Sequence, residues 1–233
     1  ERRPANALMR VNGILRKLKR DSLADLPAVA VTDAAPRAGF VATMLSLLAK
    51  QHLKVTLTLW STFFLCFAAL YFLMSWIPKL MEDAGYGAEV GRQAFFLFNL
   101  GGVIGVYILG FLSTCWKLTN IIFTLLLSSA IAMLVFAVAP RNVDLLLPLI
   151  FLIGVLQQGG FTGLYSAAAK AYPTSIRSTG IGWAVGLGRS GAVAGPAIAG
   201  YLIAFGLDMS ANFIVFAVPM AIGGFIAYRL HIR

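Results

Sequence analysis

The hydrophobic and polar positions divide the chain into a polar leader and six apolar segments. We place these segments at about 55–77, 91–113, 118–139, 143–169, 179–204 and 211–230. Each is long enough to cross a bilayer, since a membrane-spanning helix needs about 20 predominantly apolar residues. The connections between them are short, which predicts that consecutive helices are antiparallel neighbours. The pattern therefore predicts an all-α integral membrane protein with a six-transmembrane-helix bundle over residues 54–233.

The leader, residues 1–53, has a different pattern. Its apolar residues Leu8, Val11, Leu15 and Leu18 recur at spacings of three and four, and basic residues fill the other positions. This spacing is typical of an amphipathic helix that lies on a membrane surface, although a solvated basic loop is an alternative. Residues 21–39 mix Ala, Pro, Asp and Val without a period, which indicates a linker.

Composition and charge agree with a membrane protein. The chain of 233 residues is 59% hydrophobic and 12% charged, about half the charged fraction of an ordinary soluble domain. Its net charge of +10 does not indicate nucleic-acid binding, because the basic residues collect in the leader and at segment ends. Fifteen Lys and Arg fall on the side of the leader and three on the other side. This bias predicts that both termini are cytoplasmic.

The cysteines and acids exclude several kinds of site. Cys66 and Cys115 lie far apart in or beside apolar segments, so we predict no disulfide, metal site or cofactor. No aspartate, glutamate or histidine falls at mid-depth in any segment. A proton relay needs a titratable group inside the membrane. We therefore expect the proton-carrying residue of any coupled transport to lie outside this chain.

The polar residues at predicted membrane depth are the candidate binding residues. Arg189 lies in the middle of the fifth segment, where a cation costs at least about 2.5 kcal/mol and is seldom kept without a use. Its counter-ion is either a carboxylate of another helix or an anionic ligand. Amides at depth either bridge helices or face a wet cavity, and Tyr71 and Tyr165 lie deep enough to line a pocket. The candidates for substrate binding are Arg189, Gln157, Gln158, Asn99, Tyr165 and Tyr71.

The glycine-rich fifth segment contains letters that resemble enzyme motifs. Residues 186–191 satisfy GxGxxG, but no strand precedes them, so we reject a dinucleotide site. Residues 188–191 satisfy the GxSG pattern of intramembrane serine proteases, yet no histidine base lies at membrane depth. The chain is therefore predicted not to be an enzyme. Most glycines are predicted to pack helices closely, and Pro196 is predicted to bend its helix and to contribute to gating.

One region carries a family resemblance. The segment from Tyr172 to Trp183, followed by Gly188-Arg189-Ser190-Gly191 and Gly195-Pro196, closely resembles the tenth-to-eleventh helix region of the major facilitator superfamily. It is most similar to the aromatic acid:proton symporters, which import benzoate, hydroxybenzoates, protocatechuate or phenylpropionates into bacteria. The Ser75-Trp76-Ile77-Pro78 ending of the first segment is also similar to the seventh helix of that family.

The resemblance implies a fold, partners and residue roles. It implies the C-terminal six-helix half of a bacterial inner-membrane symporter, whose partners are an aromatic carboxylate, protons, the lipid bilayer and a missing N-terminal six-helix half. It also implies that Arg189 handles the anionic substrate and that Arg177 makes gating contacts. The loop after the second segment departs from the family's gating motif, because it has no acid and Lys117 is its only charge; Lys117 is the gating candidate in this loop.

Other interpretations stay open at this point. The chain begins with Glu1 rather than methionine, which we interpret as a piece of a longer protein that starts within a central loop. A symporter of another organic anion in the same superfamily is one alternative to the aromatic-acid symporter. A truncated membrane fragment that does not transport is a second alternative.

Overall fold

A computed structural model describes residues 6–17, 19, 21–25 and 40–230, with side chains from residue 44 onward in the second part. All regular secondary structure within these ranges is helical. The chain divides into two units, Glu1–Gly39 and Phe40–Arg233. Leu18 and most of the predicted linker lie outside the described residues.

The first unit contains one described helix, α1, Ala7–Lys17. Leu8, Val11 and Leu15 are partly covered, and the basic Arg16 and Lys17 end the helix. The Asn12 side chain binds the backbone of Leu23 in both directions, with its Nδ2 donating at 2.9 Å and its Oδ1 accepting at 2.8 Å. The helix thus has the amphipathic character that its spacing predicts, and its placement on a membrane surface stays a prediction.

The second unit contains one short helix and six long ones. The elements in chain order are α2 (Phe40–Leu47), α3 (Lys50–Met81), a π-helical turn (Glu82–Tyr86), α4 (Gly87–Leu112), α5 (Leu118–Val138), α6 (Val143–Ala171), α7 (Arg177–Ala204) and α8 (Met209–Tyr228). Each long helix overlaps one of the six predicted apolar segments. The first helix differs most, because it begins at Lys50, before the predicted start, and continues past Pro78 to Met81. The ion pair between Lys79 and Asp83, at 2.7 Å, supports this additional turn.

Among the described residues, four stretches are long and apolar enough to cross a membrane by length and composition. They are Lys50–Leu112, which joins α3 and α4 through the π-helical turn, and then Leu118–Val138, Val143–Ala171 and Met209–Tyr228. Helix α7 has 28 residues but is not among these stretches. Its many glycines and its serines and arginines make it less apolar than the other long helices.

The helices pack in pairs around α3. Helix α4 packs along α6, α7 along α3 and α5 along α8, while α3 also contacts α4, α6 and α8. Glycines allow the closest approaches: a Cβ at Gly105 would collide with the carbonyl of Val155, and one at Gly191 with the carbonyl of Phe64. Side chains bonded to the first turn cap two helices, Asn142 at α6 and Asp208 at α8. The predicted role of glycine in close packing therefore holds at these contacts.

Three glycines predicted to pack do not do so within the described residues: Gly110 of α4 and the two described next. Gly182 and Gly186 lie on α7, and a Cβ at either would meet nothing within 4 Å. The reason is that α7 packs mainly on α3, so no helix among the described residues lies against this part of its opposite side. An open groove of about 580 Å³ runs along this side, lined by Ser178, Thr179, Gly182, Trp183, Gly186 and Leu187.

Candidate functional site

Arg189 lies on the exposed side of α7, between glycines that pack on α3. Its neighbour Gly188 is buried, and a Cβ there would meet Cβ of Phe63 at 2.7 Å and the ring of Phe67 at 2.9 Å. The absence of a side chain at Gly188 therefore lets α7 approach α3 closely. This approach places the Arg189 backbone beside the aromatic residues of α3.

No acidic residue of the helical unit lies near the middle of the helices. The acids within residues 40–230 all lie at the end of the bundle opposite to the start of α3: Glu82, Asp83, Glu89, Asp144 and Asp208. They include the partners of Lys79, Arg92 and Arg141. Within these residues, the Arg189 guanidinium thus has no carboxylate at its own depth.

The charge of this guanidinium acts on one of two neighbouring tyrosines. Arg189 is close enough to Tyr165 of α6 for its charge to act on the phenol, and Tyr71 of α3 interacts electrostatically with the same phenol. Both tyrosines are partly exposed. Tyr165 thus interacts electrostatically with both Arg189 and Tyr71, and the three residues come from three different helices.

The tyrosines belong to an aromatic cluster formed by α3 and α6. Its members are Phe63, Phe67, Tyr71, Phe161 and Tyr165. The ring centroids of Phe67 and Phe161 are 4.8 Å apart, those of Phe63 and Tyr165 5.2 Å, and those of Phe67 and Tyr71 5.9 Å. Most of these pairs are edge-to-face, the favoured arrangement for aromatic rings. The cluster is an apolar, aromatic wall beside a cation.

The three phenylalanines of this cluster were not predicted from the sequence. The chain has 17 Phe, too many for composition to single out any of them. The available signal is their spacing, because residues 63, 67 and 71 recur every four positions and so do 161 and 165. Only the packing of α3 against α6 shows that these two stripes face each other.

The three amides take different positions. Gln158 donates from Nε2 to the carbonyl of Phe98 at 3.5 Å and so connects α6 with α4. Asn99 donates to the carbonyl of Phe95 on its own helix at 2.8 Å. Gln157 is fully buried, and neither its Oε1 nor its Nε2 has a hydrogen-bond partner among the described residues. Two roles were considered for these amides, bridging helices and facing a wet cavity. Gln158 has the first of them, since it connects two helices.

The predicted gating residues lie at helix ends and at the α7 proline. Arg177 begins α7 and donates from Nε to the carbonyl of Tyr172 at 3.4 Å. Lys117 immediately precedes α5 and is exposed. Pro196 lies inside α7, and its carbonyl accepts a hydrogen bond from Nε1 of Trp76 at 3.0 Å. Arg177 and Lys117 share one end of the bundle with the start of α3.

A buried hydrogen-bond chain at that end was not predicted. The Tyr172 hydroxyl donates to Oγ1 of Thr56 at 3.1 Å, and this Oγ1 donates to the carbonyl of Leu47 at 2.9 Å. Burial raises the pKa of Tyr172, although the bond to Thr56 opposes this shift. The phenol therefore stays protonated and ties the loop before α7 to α3.

Comparison with known proteins identifies the class. The Major Facilitator Superfamily profile matches residues 59–232. The chain belongs to the Major Facilitator Superfamily, and it is a multi-pass membrane protein. The predicted resemblance to the aromatic acid transporters of that superfamily is confirmed, because the relatives that the chain matches carry such names. Membership of a transporter family also confirms that the chain is not an enzyme.

The relatives are named for aromatic acids. The chain is 33% identical over 174 residues to the benzoate transport protein of Acinetobacter baylyi. The aligned region covers 75% of this chain and 37% of that protein. The chain is 36% identical over 162 residues to the gentisate transporter of Corynebacterium glutamicum, covering 66% and 34% respectively. With the 3-(3-hydroxy-phenyl)propionate transporter of Escherichia coli the identity is 32% over 162 residues, covering 69% and 40%. The matched region is thus about two fifths or less of each of these relatives.

Proposed function

We propose that this chain is the C-terminal six-helix half of a proton-coupled symporter that takes up aromatic carboxylates by alternating access. The observation that carries this proposal is the placement of Arg189 beside an aromatic cluster, at a depth where the described residues supply no carboxylate. A guanidinium pairs bidentately with a carboxylate, and the pair is stronger away from bulk water. A substrate carboxylate is the partner that this site lacks.

The cluster accounts for the aromatic part of the substrate. Tyr71 and Tyr165 offer both a ring edge and a hydroxyl, and Phe67 and Phe161 lie behind them. Such a wall binds a benzene ring by edge-to-face contact, while the carboxylate pairs with Arg189. Asn99, Gln157 and Gln158 complete the proposed site, Gln157 through its unused hydrogen-bonding capacity. The names of the relatives, which refer to benzoate and its hydroxylated derivatives, support this substrate class.

The exposed side of α7 supports a second half. This side carries Ser178, Gly182, Gly186, Arg189 and Ser190. Such residues are costly in contact with lipid, because the hydrocarbon offers no hydrogen bonds. Six further helices against this side would cover it and enclose the substrate cavity, as the two-half architecture of such carriers requires. The proton-coupling acid would lie in that other half.

The gate is assigned to the end of the bundle that carries the leader. Arg177 and Lys117 lie at this end, which we take as cytoplasmic on the inner membrane. The bond from Arg177 to Tyr172, together with the buried chain from Tyr172 through Thr56, couples the loop before α7 to α3. Pro196 contributes through the angle that α7 adopts at this residue.

Transport in proteoliposomes tests the proposed function. The complete gene product should accumulate radiolabelled benzoate when a pH gradient, alkaline inside, is imposed, and a protonophore should abolish this accumulation. Unlabelled benzoate or hydroxybenzoates should compete with the labelled substrate, because they present both a carboxylate and an aromatic ring. Aliphatic dicarboxylates should not compete. Competition by the dicarboxylates but not by the benzoates would instead indicate a symporter of other organic anions.

The native Cys115 tests the predicted topology. This exposed thiol lies between α4 and α5, whereas Cys66 is buried. A membrane-impermeant maleimide should therefore label Cys115 in inside-out vesicles and leave it unlabelled in intact spheroplasts. The matched control is Arg141→Cys in a Cys115→Ser background, which places the thiol at the opposite end of the bundle and should give the reverse result. Labelling of Cys115 in spheroplasts would contradict cytoplasmic termini.

A further inference from the structure

The indole of Trp76 joins the far ends of α3 and α7. Its Nε1 donates to the carbonyl of Pro196 at 3.0 Å. The same ring covers Gly200, where a Cβ would meet ring atom Cζ2 at 3.3 Å. Trp76 thus contacts two successive turns of α7, one by a hydrogen bond and one by packing. Tryptophans near the ends of membrane-spanning helices often lie at the membrane interface. The Trp76 indole instead packs and hydrogen-bonds between two helices.

The contact falls at the point where α7 is weakest. Pro196 has no N–H, so the carbonyl of Ala192 loses its helical donor, and proline commonly kinks a helix at such a position. Helix α7 nevertheless continues from Arg177 to Ala204. The turns after the proline therefore depend on contacts with another element, and the bond from Trp76 supplies one of them.

On the other side of the proline, glycines fix α7 to α3. A Cβ at Gly191 would collide with the carbonyl of Phe64, and one at Gly195 with the carbonyl of Ala68. Arg189 lies within this fixed part of the helix, between Gly188 and Gly191. A change of angle at Pro196 would pull on these close contacts and move the Arg189 guanidinium relative to Tyr165, which belongs to α6.

We propose that Trp76 is a positioning residue for transport. Its N–H fixes the angle of α7 at Pro196, and this angle keeps Arg189 in place relative to Tyr165. The inference rests on the proposed function, because it assigns Arg189 to substrate binding. A residue that positions the binding site changes KM, whereas one that controls opening of a gate changes kcat.

The chain offers a matched pair of variants. Trp76→Phe keeps an aromatic ring over Gly200 but removes the donor. Trp60→Phe makes the same chemical change on the same helix, and Nε1 of Trp60 has no hydrogen-bond partner among the described residues. In proteoliposomes, we expect Trp76→Phe to raise KM for benzoate by about two- to tenfold, the effect of losing one neutral hydrogen bond. Its kcat, and both parameters of Trp60→Phe, should stay within about twofold of the parent values.

A distance measurement keeps the inference testable without transport. Spin labels at Ser75→Cys and Ile198→Cys, both exposed positions, report the separation of α3 and α7 beyond the proline in a Cys115→Ser background. The distance distribution should be narrow in the parent and with Trp60→Phe, and broader or shifted with Trp76→Phe.

If Trp76→Phe matches Trp60→Phe in both KM and distance distribution, the inference is wrong, even if the variant is less stable. A parent protein that transports no aromatic carboxylate would contradict the proposed function, while the distances would still decide whether Trp76 fixes α7.

Discussion

Replacing Arg189 with alanine is expected to abolish uptake of aromatic carboxylates. Breaking a charge pair that is shielded from water costs about 2–5 kcal/mol, which corresponds to at least a roughly thirtyfold loss at about 1.4 kcal/mol per factor of ten. Arg189→Lys should leave weak uptake, because an ammonium keeps the charge but cannot form the bidentate pair. Initial rates of benzoate uptake by proteoliposomes with equal amounts of protein measure both effects.

The control for this prediction is another arginine-to-alanine change. Arg141 is exposed, and its Nη2 lies 3.9 Å from Oδ2 of Asp208, at the end of the bundle away from the site. Exposed pairs of this kind contribute about 0–1 kcal/mol, so Arg141→Ala should keep nearly full uptake. The Arg189 side chain is exposed in this chain. Replacing it therefore leaves no buried charge without a partner among the described residues, and both variants should fold. Substantial uptake by Arg189→Ala would refute the assignment of the substrate carboxylate to this residue.

The second large effect is expected at Gly105, where α4 packs on α6. A Cβ there would collide with the carbonyl of Val155 and lie 3.1 Å from the backbone nitrogen of Gly159. Because the obstacles are backbone atoms, no side-chain rotation can make room. Gly105→Ala should destabilise the protein by about 1–3 kcal/mol, which lowers Tm by about 2–4 °C per kcal/mol for a domain of this size. Gly105→Leu should prevent folding.

Gly110 provides the comparison on the same helix. A Cβ at this position would meet nothing within 4 Å. Alanine is also favoured over glycine in a helix by up to about 1 kcal/mol. Gly110→Ala should therefore leave Tm unchanged or slightly raised when the purified protein is unfolded by heat in detergent. Equal Tm values for the Gly105 and Gly110 variants would show that the close α4–α6 contact does not limit stability.

Some properties followed from the sequence because they depend on local patterns. Apolar segments of bilayer length predict helices, and the six long helices overlap the predicted segments, with ends that differ by a few residues. The first helix was the least accurate, because it begins at Lys50 and continues past Pro78 to Met81. Hydropathy does not reveal a helix that extends into polar residues, and a proline in a last turn does not stop the turn that follows it. The region from Tyr172 to Pro196 was sufficient to recognise the family, since its turn, glycines and arginine are close together in the chain.

The residues of the candidate site also differ in whether a local pattern reveals them. Arg189 was found from the sequence because one cation within an apolar segment is conspicuous by itself. The aromatic cluster was not found, because Phe63, Phe67 and Phe161 differ from other phenylalanines only in what they face. The use of Trp76 was also missed, since its partner lies 120 residues further along the chain.

The sequence by itself determined the class of protein: helical, membrane-spanning and a member of a transporter superfamily. Hydropathy over about 20 residues and a local motif are sufficient for this, because both are properties of contiguous chain. Only the tertiary structure decided which faces of the helices meet. It placed Arg189 of α7 within electrostatic reach of Tyr165 of α6, because glycines let α7 pack closely on α3. Among the described residues, it left the other side of α7 without a helix against it. Such contacts depend on packing between distant segments, which no local pattern specifies.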